Sequence, residues 1–279
     1  MNIGQKPEIL VADLGYIGYV RAWKLQEYLM QQAMAVKLWN RDHPPSAQKQ
    51  VRHFLLLCEH NPVYTLGKRA RLEHLLWKKD ELLRKGVEVY RINRGGDITY
   101  HGPGQITGYP ILDLEFFFTD LHRYMRYLEE FIIKTLSEYG IQAGRIPGLT
   151  GVWVGHQEER NARKICAFGV HMSRWITMHG FALNVNPRLD MFGGIVPCGI
   201  RDKGVTSMAL ELGQIPDFTE VKKRLIQNFC SQFRATFRIL SPTEMADMLG
   251  KAEEISLPVL PLASSDATHG HMNKETEES

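Results

Sequence analysis

Residues 87–114 read VEVYRINRGGDITYHGPGQITGYPILDL, two apolar runs with a glycine-rich loop between them. Residues 87–93 have the length and composition of a strand. Residues 106–114 leave the loop as another, with Pro110 expected at an edge or bulge because proline cannot donate to a ladder. Gly95-Gly96 allows backbone conformations closed to other residues and a close approach to a ligand. Thr99-Tyr100 is a short extended piece, and Gly102-Pro103-Gly104 a sharp turn. Arg94, Asp97, Tyr100 and His101 crowd into this one loop, so a binding loop and a plain glycine hairpin both remain open.

Working outward, residues 9–14 form a first strand, and apolar spacing from Tyr19 to about Lys37 predicts a long amphipathic helix. Residues 51–59, VRHFLLLCE, are a buried strand, and residues 63–67 a short one. Helices are expected over 72–85, 121–139 (closed by Gly140) and 219–237. Residues 151–154 read as a strand, 155–163 as a polar hairpin tip and 164–172 as a strand. Residues 175–185 read as a strand pair turning at His179-Gly180, 186–192 as loop, and 193–200 as a second glycine-rich segment. Strand follows strand over long stretches, which favours an α+β fold with a mixed, largely antiparallel sheet flanked by helices over a doubly wound one. Residues 1–262 are expected to form one catalytic domain, with a polar, disordered tail over 263–279.

Against 31 acidic residues stand 34 basic ones, a net charge of +3, so no strong field calls for nucleic acid or a membrane surface. The N-terminus carries charge before any apolar run, unlike a signal peptide, and no run reaches membrane-spanning length. Cys58, Cys166, Cys198 and Cys230 are far apart, without the spacing of a zinc knot or disulfide scaffold. A cytoplasmic setting with free thiols is expected.

Cys198 is the most reactive-looking thiol, set between Pro197 and Gly199 and followed by Arg201, Asp202 and Lys203. A thiolate near cationic groups is a nucleophile, whereas an incidental turn cysteine is inert, and both remain open. Groups able to activate it include His101, His171, His179 and Lys164, the last at the start of an apolar strand. Neither a metal-ligand spacing nor a P-loop is present, and no cofactor is expected.

RGGDITYHGPGQITGYPILDL (94–114) resembles the signature of the lipoyl(octanoyl)transferases. HNPVYTLGKR (60–69), KICAFGVHMSRWITMHGFALNVN (164–186), GGIVPCGI (193–200) and GVTSM (204–208) are similar to further blocks of that family, in the same order. The resemblance implies a fold shared with biotin and lipoate protein ligase catalytic domains. It implies transfer of an octanoyl group from acyl carrier protein to lipoyl domains. These acceptors would be the lipoyl domains of 2-oxoacid dehydrogenase complexes and the glycine cleavage H protein. It makes Cys198 the nucleophile, carrying the acyl group as a thioester. Lys164 becomes its partner, lowering the thiol pKa and shuttling the proton.

By the same resemblance, Arg94, Gly95, Gly96, Asp97, Ile98, Thr99, Tyr100 and His101 line the acyl substrate. So do Ala167, Phe168, Gly169, Gly180, Phe181 and Ala182. Phe168 and Phe181 stand where the family often has smaller or aliphatic residues, which would trim the pocket. The alternative on the same fold is an ATP-dependent lipoate or biotin ligase, which needs no thiol. A non-catalytic carrier-binding module and a cysteine hydrolase are weaker fits to the Cys198 and Lys164 blocks.

Overall fold

The computed structural model describes residues 6–197 and 203–257. The chain opens with β1 (Glu8–Tyr16), α1 (Tyr19–Asp42) and β2 (His53–Glu59). β1 and β2 pair in parallel, so α1 is the crossover such a pair requires. Next come β3 (Val63–Leu66), α2 (Lys79–Lys85), β4 (Glu88–Arg91), β5 (Ile98–His101) and β6 (Gln105–Ile111). After α3 (Leu121–Ser137), the strands β7 (Ala143–Ile146), β8 (Leu149–Val154), β9 (Arg163–Ser173) and β10 (Ile176–Asn184) follow as hairpins. β11 (Gly204–Val205), α4 (Met208–Leu212), α5 (Phe218–Gln232), β12 (Thr236–Ile239) and α6 (Pro242–Ala252) complete the described chain.

The large sheet has the order β12-β1-β2-β6-β10-β9-β8-β7, with β11 paired to β9, and β4-β3-β5 make a small second sheet. From β2 to β7 every pair along the main path is antiparallel. The fold is therefore α+β with a mixed, largely antiparallel sheet, as expected. One face is covered by α3 and α5 through a core that includes Phe131, Phe181, Leu225 and Phe229. The other is covered by α1, with Trp23, Leu25 and Leu29 packed on Leu56 and Ile111. The small sheet packs Tyr64, Ile98 and Tyr100 against Met191, Phe192 and Ile195.

Several expectations change in detail. Residues 72–85 are not one helix: a 3-10 turn at Leu72–His74 precedes α2, and between them Leu75 bridges Ile195. That bridge fixes residues 74–76 as a strap across the second glycine-rich segment, with Leu76 N–H donating to Gly194 O (2.8 Å) and Val196 N–H to His74 O (2.8 Å). The helix expected over 219–237 ends at Gln232, and residues 236–239 form β12, paired in parallel with β1. Its four side chains are exposed, so no apolar signal marks it. β7, β11, α4 and α6 add to the elements expected from the sequence.

Pro110 lies on an inner strand rather than an edge. The β6–β10 ladder runs from Gln105↔Asn184 to Gly108↔Phe181 and stops before the proline, which accounts for its missing donor. His179-Gly180 is no turn. It lies mid-strand in β10, and the hairpin turn is Arg174-Trp175, both with positive φ. The tail, residues 263–279, lies outside the described residues.

Candidate active site

β9 and β10 build the floor of a cavity from small residues. Ala167 pairs with Ala182 and Gly169 with Gly180 on adjacent strands, and all four line a cleft of about 410 Å³, its open mouth included. At Gly180 the absence of a side chain is obligatory, since a Cβ would lie 2.2 Å from Gly108 O. Phe168 and Phe181 alternate to the other side. The Phe181 ring meets Phe131 at 5.2 Å between centroids and fills the place of a Cβ on Gly108. Both phenylalanines thus pack on the helical side of the sheet, and their main chain borders the cleft.

The roof comes from the glycine loop. Gly95 N–H donates to Val170 O (2.9 Å), which holds the loop over Gly169. Arg94 is buried and reaches back under the loop: its Nη2 donates to Thr65 O (2.6 Å) and its Nη1 to Gly95 O (2.9 Å). Thr99 and His101 face the cleft from β5, while Ile98 and Tyr100 alternate into the small-sheet core. Asp97 points elsewhere. It pairs with His74 Nδ1 and accepts from Arg71 N–H (3.2 Å), tying the loop to the strap over residues 194–196. Arg94, Thr99 and His101 line the cleft, Gly95 lies over Gly169, and Ile98 and Tyr100 point into the small-sheet core.

A second cavity shares Thr99, Ala167 and Ala182 with the first and adds Lys164, Asn184, Phe192 and Pro197. Lys164, the second residue of β9, pairs with Trp153 of β8 on one side and Val205 of β11 on the other. It is 7% exposed, with Nζ 4.6 Å from the Trp153 ring centroid. Gly151 beside it has φ +141, and a Cβ there would press on Lys164 Cε at 3.1 Å. Cys198 lies outside the described residues, as do Gly199 and Ile200. Cys58, Cys166 and Cys230 are buried free thiols, and burial pushes each thiol pKa up. Among the described residues no cluster has the makings of a metal site.

A hydrogen-bonded chain runs beneath both cavities. Gln105 donates to Asn184 Oδ1 (2.9 Å), so its Oε1 accepts from His101 Nδ1 (2.8 Å). Asn184 donates to Thr206 O (2.9 Å), and Thr206 N–H donates to Lys164 O (3.0 Å). Burial, with His60 nearby, pushes the His101 pKa down to about 3, so at neutral pH it is an uncharged orienting group. His60 donates from Nδ1 to Ile17 O (2.8 Å), which leaves Nε2 to accept from the Tyr109 hydroxyl (2.6 Å). Burial lowers the His60 pKa to about 4.

Tyr19, Tyr109 and His179 line the cleft, and none of them lines the cavity beside Lys164. His179 has φ +58, a left-handed backbone that costs a residue with a side chain about 1–3 kcal/mol. Its N–H donates to Gln26 Oε1 (3.0 Å). Its Nε2 donates to Asn93 Oδ1 (2.7 Å), an assignment settled by Asn93 Nδ2 donating to Glu27 Oε1 (3.0 Å). Tyr19, Gln26, Thr107 and Tyr109 escape the sequence-based site. One signal was available: Gln26 interrupts the otherwise apolar stripe of α1, yet it is fully buried. The hydroxyl of Thr107 has no hydrogen-bond partner among the described residues.

The family model for the lipoyl protein ligase A/B catalytic domain matches residues 18–230. The chain belongs to this family. An octanoyltransferase of Cytophaga hutchinsonii is 52% identical over 233 residues, 84% of this chain and 96% of the relative. One of Flavobacterium johnsoniae is 54% identical over 233 residues, 82% of this chain and 97% of the relative. Among solved structures, a bipartite lipoate protein ligase of Thermoplasma acidophilum matches 89% of this chain and 93% of its own, with a TM-score of 0.63 at 18% identity. P. falciparum LipL1 in complex with lipoate matches 96% of this chain and 76% of its own, with a TM-score of 0.64 at 14% identity. These structures show that the chain has the fold of the lipoate protein ligases. No helix among the described residues is long and apolar enough to cross a membrane.

Proposed function

We propose that the chain transfers an octanoyl group from octanoyl-acyl carrier protein to a specific lysine of lipoyl domains, in the cytoplasm, through a thioester on Cys198. The observation that carries this reading is the continuity of the two cavities. Pro197, which directly precedes Cys198, and Lys164 line one, and its shared wall of Thr99, Ala167 and Ala182 leads into the cleft with the small-residue floor. Relatives at about half identity over most of their length carry the name octanoyltransferase.

In the first step the Cys198 thiolate attacks the donor thioester, its C–S bond forms, and the carrier leaves as a thiolate that takes up a proton. In the second, the acceptor lysine attacks the acyl-enzyme as a free amine, forms the amide and loses its proton, and the Cys198 thiolate departs. A thioester exchanged for a thioester needs no ATP, and covalent catalysis divides one hard step into two easier ones. Lys164 carries the protons between thiol and amine. Backbone amides around Cys198-Gly199 supply oxyanion donors. Each methylene buried on the small-residue floor contributes about 0.8 kcal/mol to holding the acyl group. The acceptors are the lipoyl domains of 2-oxoacid dehydrogenase complexes and the glycine cleavage H protein.

Intact mass of the chain mixed with octanoyl-acyl carrier protein tests this directly. The native chain is expected to gain one octanoyl group, to lose it on addition of a lipoyl domain, and to gain nothing as Cys198→Ala. An unshifted native mass, or acceptor modification from free octanoate and ATP that survives Cys198→Ala, sinks the thioester route.

A further inference from the structure

Lys164 reaches its cavity through an irregularity in its own strand. Along β9, Cys166 and Phe168 pack on the helical side, while Ala167 and Gly169 line the cleft. Strict alternation would send Lys164 to the helical side as well. The register with β8 shifts instead: Val152 pairs with Cys166 but Trp153 with Lys164, so two steps along β9 answer one along β8. Such a bulge turns the side chains beyond it to the other face. Ile165 joins Cys166 in the core, and Lys164 comes to line the cavity beside Pro197.

The side chain so delivered meets a fitted surface. Its Nζ lies 4.6 Å from the ring centroid of Trp153, which is itself buried. A Cβ at Gly151 would stand 3.1 Å from both Lys164 Cε and Trp153 Nε1, so this glycine is the slot that both side chains cross. Gly151 is fixed in turn from α3, its N–H donating to Glu129 Oε1 (3.3 Å). Glu129 is fully buried and accepts from Arg126 (2.7 Å) and Arg145 (2.9 Å). Bulge, slot and ring converge on one ammonium group. An aromatic face attracts a cation through its quadrupole, and more strongly where water is excluded.

Resting on the acyl-transfer reading above, we propose that Trp153 is a positioning residue whose ring face holds the Lys164 ammonium in the cavity beside Pro197. Trp153 lines neither cavity, so it acts through Lys164. Its indole N–H has no hydrogen-bond partner among the described residues, which leaves the ring face as the working part.

The test uses the full chain with fluorinated tryptophans placed at residue 153 alone, which keep the shape of the ring and withdraw charge from its face. Transfer from octanoyl-acyl carrier protein to a lipoyl domain is read as kcat and KM. With added fluorines kcat is expected to fall stepwise to about a tenth, the order set by a cation–π contact shielded from water, while KM for the donor and the melting temperature hold. Trp153→Phe, which keeps a weaker face, should retain more kcat than Trp153→Leu, which keeps none. In a Lys164→Ala background the fluorine series should be flat. A flat or rising series with Lys164 present, a fall that persists without it, or equal kcat in folded Trp153→Phe and Trp153→Leu overturns the proposal and leaves octanoyl transfer standing. Absence of transfer by the native chain overturns the proposed function itself.

Discussion

On the face of the large sheet covered by α3 and α5, the contacts are aromatic and aliphatic: Phe131, Phe181 and Phe229 meet edge to face. On the face covered by α1 and the small sheet, Gln26, His60, His101, Gln105 and His179 are just as deeply buried but are joined by hydrogen bonds. The same strands serve both faces, so the difference lies in side-chain parity, with the left-handed backbone at His179 as the exception. One face supplies hydrophobic stability. The other surrounds a cleft with buried polar groups.

The sharpest way to break this contrast is at Lys164. Lys164→Ala should lower the transfer rate by about 10²–10⁴-fold, the usual weight of a proton-transfer group, while the far-ultraviolet circular dichroism stays native. An unaltered rate would remove Lys164 from the chemistry. On the opposite face, Phe131→Ala should cost about 3–5 kcal/mol in denaturant titration, the scale of an emptied aromatic site.

Acid should act chiefly through the polar face. The His60 and His101 pKa values are depressed to about 4 and about 3, so below pH 6.5 the unfolded chain binds protons that the native chain refuses. Stability is full above pH 6.5 and should fall by about 1.4 kcal/mol per pH unit for each such histidine as the pH drops towards 4. His53, depressed to about 4 by burial, adds to the same trend. Urea midpoints at several pH values would show it, and His60→Asn should make the slope shallower by one proton. The smallest effect belongs to the helix cap at α5, where Asp217 Oδ1 accepts from Thr219 and Glu220 N–H. Asp217→Ala should cost about 1 kcal/mol in thermal or chemical melts and leave kcat untouched.

The contrast also explains what the sequence could reveal. Inner strands such as β2 and β6 announce themselves as continuous apolar runs because both their faces are covered. β12 does not, since its four residues are exposed and only its backbone is in use. Leu72, Leu75, Leu76, Leu82 and Leu83 have helical spacing, yet residues 75–78 are extended because Leu75 pairs with Ile195, a partner over a hundred residues away. His179-Gly180 resembles a turn because local sequence cannot tell a glycine that bends the chain from one that lets a neighbouring strand approach. In the site, the Arg94–His101 and Ala167–Ala182 neighbourhoods were readable as motifs. Tyr19, Gln26 and Tyr109 were not, because on paper they belong to an amphipathic helix and a strand.

Phe181 under Gly108, and Gly180 against Gly108 O, leave the cleft floor one peptide layer thick. No cushion of side chains separates the cleft from the aromatic cluster below. Loosened packing around Phe131 would reach a ligand held there as altered fit, so its binding should weaken on warming before the fold itself gives way.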